Sequence, residues 1–178
     1  MLGDGFDLPP LMFTPDELEA VMLGLRWVSR RGDQQLSRAA QDTVAKIGAV
    51  LPERLRPFLF DAGLMVPVYE RVIRDSVDVA QFRNAIREQR KVEIVYTAED
   101  GKQSSRVIWP IAVAYYDAQR LILAWCELRQ AFRSFRTDRM SSAVVLDAKY
   151  AARRKALLKQ MHDELEREIG VRQMDVFG

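Results

Sequence analysis

The stretch RKVEIVYTAEDGKQSSRVIW, residues 90–109, decides the fold of the carboxyl-terminal half of the chain. Apolar and aromatic residues recur in it at the two-residue period of a β-strand, at positions Val92, Ile94 and Tyr96. The pair Asp100-Gly101 follows, which is typical of the tight turn in a hairpin, and strand-like sequence resumes at residues 106–109. We therefore predict an antiparallel β-hairpin here.

Further short runs on the carboxyl-terminal side of this hairpin favour strands, at residues 111–116, 121–126, 131–135 and 143–146. Short, closely spaced strands of this kind are typical of a small barrel. Two helices flank them. One, over residues 79–89, carries Val79, Phe82 and Ile86 on one side, and the other, over residues 151–169, carries Leu158, Met161 and Leu165.

The amino-terminal part of the sequence predicts two helices after an extended lead-in at residues 1–12. Thr14-Pro15-Asp16-Glu17 is a strong helix start, because threonine caps, proline suits the first helical position and glutamate completes a capping box. A second helix begins near Gln34 and ends at Pro52, and the two are expected to pair antiparallel. Residues 61–76 show little periodicity and are interpreted as a connecting segment.

Together these patterns predict an α+β fold with a small antiparallel β-barrel. We expect three regions: residues 1–77 form an extended lead-in and helical linker or dimerisation segment, residues 78–148 the barrel, and residues 149–178 a helix and tail. The barrel is the part in which function is expected.

Composition narrows the class of protein. The chain has 178 residues, of which 48% are hydrophobic and 29% charged, with a formal net charge of +2. This composition is typical of a globular protein, and no apolar run approaches the roughly 20 residues of a membrane span. A single cysteine, Cys126, excludes an intramolecular disulfide and favours a reducing compartment, so we expect a cytoplasmic protein without membrane contact.

No residue set in the sequence indicates an enzyme. His162 is the single histidine and lies among charges in the last predicted helix, where a solvated role is expected. Cys126 follows a tryptophan in a predicted strand, a setting typical of a small core residue. Since no phosphate-binding glycine loop, metal-ligand set or paired-carboxylate motif is present, we expect no catalysis, cofactor or metal.

Residues 120–140 carry a local surplus of positive charge. Five arginines are present against two carboxylates: Arg120, Arg129, Arg133, Arg136 and Arg139 against Glu127 and Asp138. In residues 132–140 three of these arginines follow at intervals of three beside two phenylalanines. Guanidinium groups hold phosphate at two points and stack on bases, so the segment suits the capture of an anion.

A plainer interpretation of this segment stays open. Rows of arginine are usually solvated, and Asp138 can simply neutralise a neighbour. In an extended strand Arg133 and Arg136 point to opposite faces, so the three late arginines converge only if the chain bends after Phe135.

Several segments, taken together, carry a resemblance to a known family. They are KVEIVY at 91–96, the hairpin at Asp100-Gly101, Arg106 with Pro110, LILAWCELR at 121–129 and RSFRTDRM at 133–140. Over about residues 79–147 they resemble a WYL domain. Upstream, GFDLPPL at 5–11 and the capped helices resemble the linker that follows a winged helix-turn-helix in WYL transcription regulators. The Trp-Tyr-Leu tripeptide of the family aligns here with Arg120-Leu121-Ile122, so two aromatic residues are replaced.

The resemblance implies an Sm-like or SH3-like barrel whose basic pocket senses a nucleotide or single-stranded nucleic acid and adjusts DNA binding by an attached head. The residues before the linker-like stretch do not resemble a winged helix; we expect the head to belong to a longer protein rather than never to have been encoded, and duplex DNA to be contacted only through it. The expected ligand-binding residues are Arg106, Arg133, Arg136, Arg139, Arg120, Tyr96 and Tyr115.

The alternative is a module for homodimerisation or protein interaction, in which these arginines pair with acidic residues of a partner. A homodimer is expected in either case.

Overall fold

The computed structural model describes residues 12–57, 63–67, 75–116 and 119–169, without the side chains of residues 165, 166, 168 and 169. The chain divides into two compact units, residues 1–69 and 70–178. The lead-in predicted at residues 1–12 and most of the connecting segment predicted at 61–76 lie outside the described residues. No helix in the described ranges is long and apolar enough to cross a membrane.

The helical unit contains helices α1 (Pro15–Arg31) and α2 (Gln34–Val50) and a 3-10 turn at Glu53–Leu55. The predicted capping box is present: the Thr14 hydroxyl accepts from the Glu17 amide, and the Thr14 amide donates to the Glu17 carboxylate at 2.8 Å. The Thr14 amide and the Thr14 hydroxyl both donate to the Glu17 carboxylate, which holds the pKa of Glu17 below its usual value. The prediction of this helix start is confirmed.

The two helices run antiparallel, as their shared core shows. Leu18 near the start of α1 packs in one buried cluster with Leu51, which follows the end of α2. The helices are joined by two residues only, and Asp33 caps α2 by accepting from the amides of Gln35 and Leu36.

The second unit is built on a five-stranded antiparallel sheet with the order β4-β3-β2-β1-β5. Its strands are β1 (Arg90–Thr97), β2 (Gln103–Tyr115), β3 (Arg120–Cys126), β4 (Ala131–Arg136) and β5 (Met140–Lys149). Helix α3 (Val79–Glu88) precedes the sheet, helix α4 (Arg154–Ile169) follows it, and a 3-10 turn at Thr137–Arg139 joins β4 to β5. The α+β class is confirmed.

The predicted hairpin is present between β1 and β2. Strand pairing runs from Val92 opposite Ile108 to Thr97 opposite Gln103, and the Gly101 amide closes the turn on the Ala98 carbonyl at 3.0 Å. Gly101 has φ +79°, a backbone conformation that glycine adopts without strain.

Two sequence expectations about the sheet are wrong. The runs expected as two strands at 106–109 and 111–116 belong to one continuous strand, β2, which ends at Tyr115 and in which the pairing with β3 shifts between Pro110 and Ala112. Proline has no amide hydrogen to donate, so the bulge absorbs it inside the strand. The expected closed barrel is also absent among the described strands, because β4 and β5 are the two edges of an open sheet. The Sm-like or SH3-like assignment stays a prediction.

One face of the sheet packs against α3 and forms the main core. Phe82 of α3 is fully buried there with Ile94, Ile108 and Ile122. Cys126 belongs to the same cluster, so its role as a small core residue is confirmed.

The opposite face carries four aromatic side chains that we call the aromatic row: Trp109, Trp125, Phe132 and Tyr150. Neighbouring rings lie 5.1 to 6.4 Å apart, and the Tyr150 ring stacks on Trp109. Tyr150 is buried with Leu157 of α4, and its hydroxyl donates to the Pro110 carbonyl at 2.9 Å. Burial raises the pKa of Tyr150. Of the predicted stripe on α4, Met161 is buried and Leu158 half-buried, while the Leu165 side chain lies outside the described set.

Candidate anion-binding site

The register of β4 places Arg133 and Arg136 on opposite faces of the sheet. Arg133 stands opposite Ala124 and Arg136 opposite Leu121, three positions apart along each strand. β4 remains extended through Arg136, and the 3-10 turn begins only at Thr137. The alternation foreseen for an extended strand therefore holds for Arg133 and Arg136.

Arg136 is held at two points by Asp138. Its Nε donates to Oδ1 at 3.0 Å and its Nη2 to Oδ2 at 2.7 Å, which is the fork geometry of a strong arginine–carboxylate pair. The hydrogen bond lowers the pKa of the Asp138 carboxyl and raises the pKa of the Arg136 guanidinium. The plainer interpretation of Asp138, as a neutralising neighbour, is thus what the geometry shows.

Arg139 makes a looser pair. Its Nη1 lies 3.2 Å from Oε1 of Glu99, whose side chain is 85% exposed. Ion pairs of this kind contribute at most about 1 kcal/mol, since water and salt screen them. Arg139 is therefore readily available to another anion.

Tyr96 and Arg106 lie on the core-facing side of β1 and β2. Tyr96 is half-buried, with its ring 5.2 Å from Phe135 in an edge-to-face contact. Arg106 stands opposite Ile94 in the register, and its Nε donates to the Ser104 hydroxyl at 3.0 Å.

Arg120 lies where the sequence did not place it. The resemblance implies a ligand-binding role for it, but its side chain is only 6% exposed and forms an ion pair with Asp75. Its guanidinium also lies 5.7 Å from the centre of the Tyr115 ring. Asp75 in turn accepts from the buried Thr137 hydroxyl at 2.7 Å. The charge of Arg120 is offset inside the protein, so we leave Arg120 and Tyr115 out of the candidate site.

No sequence pattern singles out Asp75 and Ser76. Both precede α3, and both contact the 3-10 turn: Asp75 through Thr137, and Ser76 through its hydroxyl, which donates to the Asp138 carbonyl at 3.2 Å. These contacts join residues 62 positions apart in the chain, beyond what periodicity reports.

Arg133 is the exposed arginine of the set without a hydrogen bond or ion pair to any described residue. Arg133 therefore lies on the other face of the sheet from Arg136, and the two do not converge on one pocket. The candidate site has two separate parts: Arg133 on one face of β4, and Arg136 with Arg139 at its carboxyl-terminal end. Each of the last two is held by a partly or largely exposed carboxylate. Each part can attract a phosphate group, the second provided that the carboxylates move aside.

Comparison with known proteins identifies one domain in the second unit. Residues 78–145 match the WYL domain. Among solved structures, proteasome accessory factor B/C (PafBC) of Arthrobacter aurescens matches 81% of this chain with a TM-score of 0.38 and 21% identity. The match covers 22% of that chain, so this chain spans about a fifth of its length. A likeness so distant supports no argument about function. Residues 78–145 of this chain form a WYL domain.

Proposed function

We propose that this chain is the ligand-sensing regulatory region of a bacterial transcription regulator. In this proposal the WYL domain binds an anionic effector, a nucleotide or a short single-stranded nucleic acid, without catalysing a reaction. Binding changes the DNA affinity of a winged helix-turn-helix elsewhere in a longer cytoplasmic protein. The observation that carries the proposal is the match of residues 78–145 to the WYL domain.

The geometry supports an anion as the ligand. Arg133 is exposed and offers its full set of donors to solvent. Arg139 is held only by the exposed Glu99, and Arg136 presents a guanidinium fork that already accommodates two oxygens of Asp138. A guanidinium that fits a carboxylate in this way also fits a phosphate.

The experiment is a fluorescence-anisotropy titration of the chain with a labelled eight-nucleotide single-stranded DNA and with labelled ATP. We expect binding that weakens with salt, because phosphate contacts release counterions. Arg133→Glu is expected to weaken binding about tenfold and to reduce the slope of log affinity against log salt by about 0.7.

Arg129→Glu is the matched control, because Arg129 is also exposed and neighbours β4 but is not part of the candidate site. If both variants lose affinity equally, the loss is due to the change in net charge and not to the candidate site. Absence of salt-sensitive binding to both probes would refute an anionic effector of either kind.

A second candidate function is a homodimerisation module, and the helical unit provides an observation in its favour. Large apolar side chains are exposed there, among them Val50 at 83% and Met65 at 85%. An open groove of about 310 Å³ between α1 and α2 is lined by both apolar and polar side chains, among them Met22, Val44 and Arg26. Exposed apolar surface of this kind is typical of protein contacts.

Sedimentation velocity separates the two candidate functions. If the arginines serve ligand binding, Arg133→Glu leaves the oligomeric state unchanged while Val50→Asp shifts any dimer towards monomer. A dimer lost on Arg133→Glu, with anion binding intact, would favour the interaction module.

A further inference from the structure

Asp138 forms an ion pair with Arg136, the arginine that an anionic ligand would need. Both of its carboxylate oxygens lie within 3.0 Å of nitrogen atoms of Arg136, and the pair is only partly exposed, at 35% and 37% of the side chains. A phosphate that binds Arg136 at two points needs these same two donors. Asp138 and an anionic ligand therefore compete for one guanidinium.

We propose that Asp138 is an internal counter-ion that blocks the anion site, and that Ser76 and Asp75 hold it in the blocking position. Anion binding then displaces Asp138 and loosens the segment through which the chain enters the WYL domain. This inference rests on the proposed function, because it assigns a regulatory contact to the same arginines.

Hydrogen bonds around the 3-10 turn connect Asp138 with the residues that precede α3. The turn comprises Thr137, Asp138 and Arg139 only. The Ser76 hydroxyl holds the Asp138 carbonyl, and Asp75 holds the Thr137 hydroxyl, so two consecutive residues before α3 grip two consecutive residues of the turn. A bound phosphate repels the carboxylate of Asp138. Because Asp138 also accepts the hydrogen bond from Ser76, its displacement strains that contact.

Asp75 is well placed to act as the fixed end of this contact. Its other oxygen is paired with the buried Arg120, the first residue of β3. Thr137 is tied to β3 as well, because its buried hydroxyl also lies 3.4 Å from the Arg120 carbonyl. The exposed hydrogen bond from Ser76 to the Asp138 carbonyl is therefore the contact expected to break. Because coupling between sites is reciprocal, weakening the Ser76 contact must also favour anion binding.

The first measurement tests the block. Inorganic pyrophosphate is titrated calorimetrically into the full chain and into Asp138→Asn at low salt. Since a partly exposed ion pair contributes up to about 1 kcal/mol, its loss is expected to tighten pyrophosphate binding about fivefold. Asp147→Asn is the matched control: it removes one carboxylate from another arginine pair, with Arg90, at the far end of β5, and it is expected to leave the affinity within twofold.

The second measurement tests the coupling. Ser76→Ala removes one neutral hydrogen bond and is expected to tighten pyrophosphate binding about threefold. Ser105→Ala is its control, because that hydroxyl bonds Glu93 on the sheet at 2.8 Å, and no change is expected. Hydrogen exchange at the amides of residues 75–78 is expected to speed up when pyrophosphate is added to the unmodified chain.

The outcomes separate the inference from the proposed function. If neither the unmodified chain nor Asp138→Asn binds pyrophosphate, the proposed anion site fails and the inference falls with it. If the chain binds but Asp138→Asn binds no more tightly, the block is overturned alone. If Asp138→Asn tightens binding while Ser76→Ala and the exchange of residues 75–78 show no change, the coupling is overturned.

Discussion

Replacing Arg120 with methionine is expected to lower the free energy of unfolding of the WYL domain by about 3–5 kcal/mol. The substitution keeps most of the side-chain length but leaves the Asp75 carboxylate, only 16% exposed, without its cation. An unpaired buried charge is costly because water no longer solvates it. Urea unfolding followed by tryptophan fluorescence measures the loss.

Two variants keep this prediction specific. Arg129→Met removes an exposed arginine three residues after the end of β3, and its effect is expected to stay within about 0.5 kcal/mol. Asp75→Leu combined with Arg120→Met removes both charges and is expected to recover most of the stability, because a buried ion pair replaced by apolar groups is often neutral. A single Arg120→Met variant as stable as the unmodified chain would contradict the buried pair.

Phe82→Ala is expected to cost about 3–5 kcal/mol, for a different reason. Phe82 is the fully buried side chain by which α3 packs on the sheet, in contact with the cluster that holds Ile94 and Ile108. Truncation removes the transfer energy of the ring and leaves a cavity that the surrounding strands fill only in part. Thermal unfolding monitored by circular dichroism reports the loss.

Phe82→Leu is the control for shape, since it retains an apolar side chain of intermediate volume. Its cost is expected to be less than half that of Phe82→Ala, in proportion to the smaller cavity. An alanine variant that loses less than about 1 kcal/mol would mean that α3 does not seal this face of the sheet.

The parts of the fold that local chemistry specifies were predictable from the sequence. The capping box at Thr14 and Glu17 acts over one helical turn, and the Asp100-Gly101 turn closes a hairpin whose strands adjoin it. In both places the residues that signal the structure are the residues that form it. Apart from β2, the helices and strands were therefore predicted to within a few residues of their bounds.

Closure of the sheet and the course of β2 depended on more than local pattern. A proline is a strong sign of interruption, yet Pro110 lies inside β2 because a bulge removes the need for its missing donor. Whether the two edge strands meet depends on curvature along the whole sheet. Neither feature has a short-range sequence signal.

The sequence pattern proposes residues for the candidate site but not their arrangement. The opposite faces of Arg133 and Arg136 follow from strand periodicity and could be foreseen. The burial of Arg120 could not, because its partner Asp75 lies 45 residues earlier in a stretch without periodicity. The sequence shows how many arginines the segment contains. Only the folded structure shows which carboxylates already form ion pairs with them.

The aromatic row determines where the carboxyl-terminal boundary of a stable fragment of this protein should lie. The family match ends at residue 145, before Tyr150 and before Leu157 of α4. A polypeptide trimmed to that limit would leave the indole of Trp109 without the ring stacked on it and would give up the hydroxyl that bonds the Pro110 carbonyl. We therefore expect a stable fragment of this protein to extend beyond residue 145 and to include at least the buried Met161.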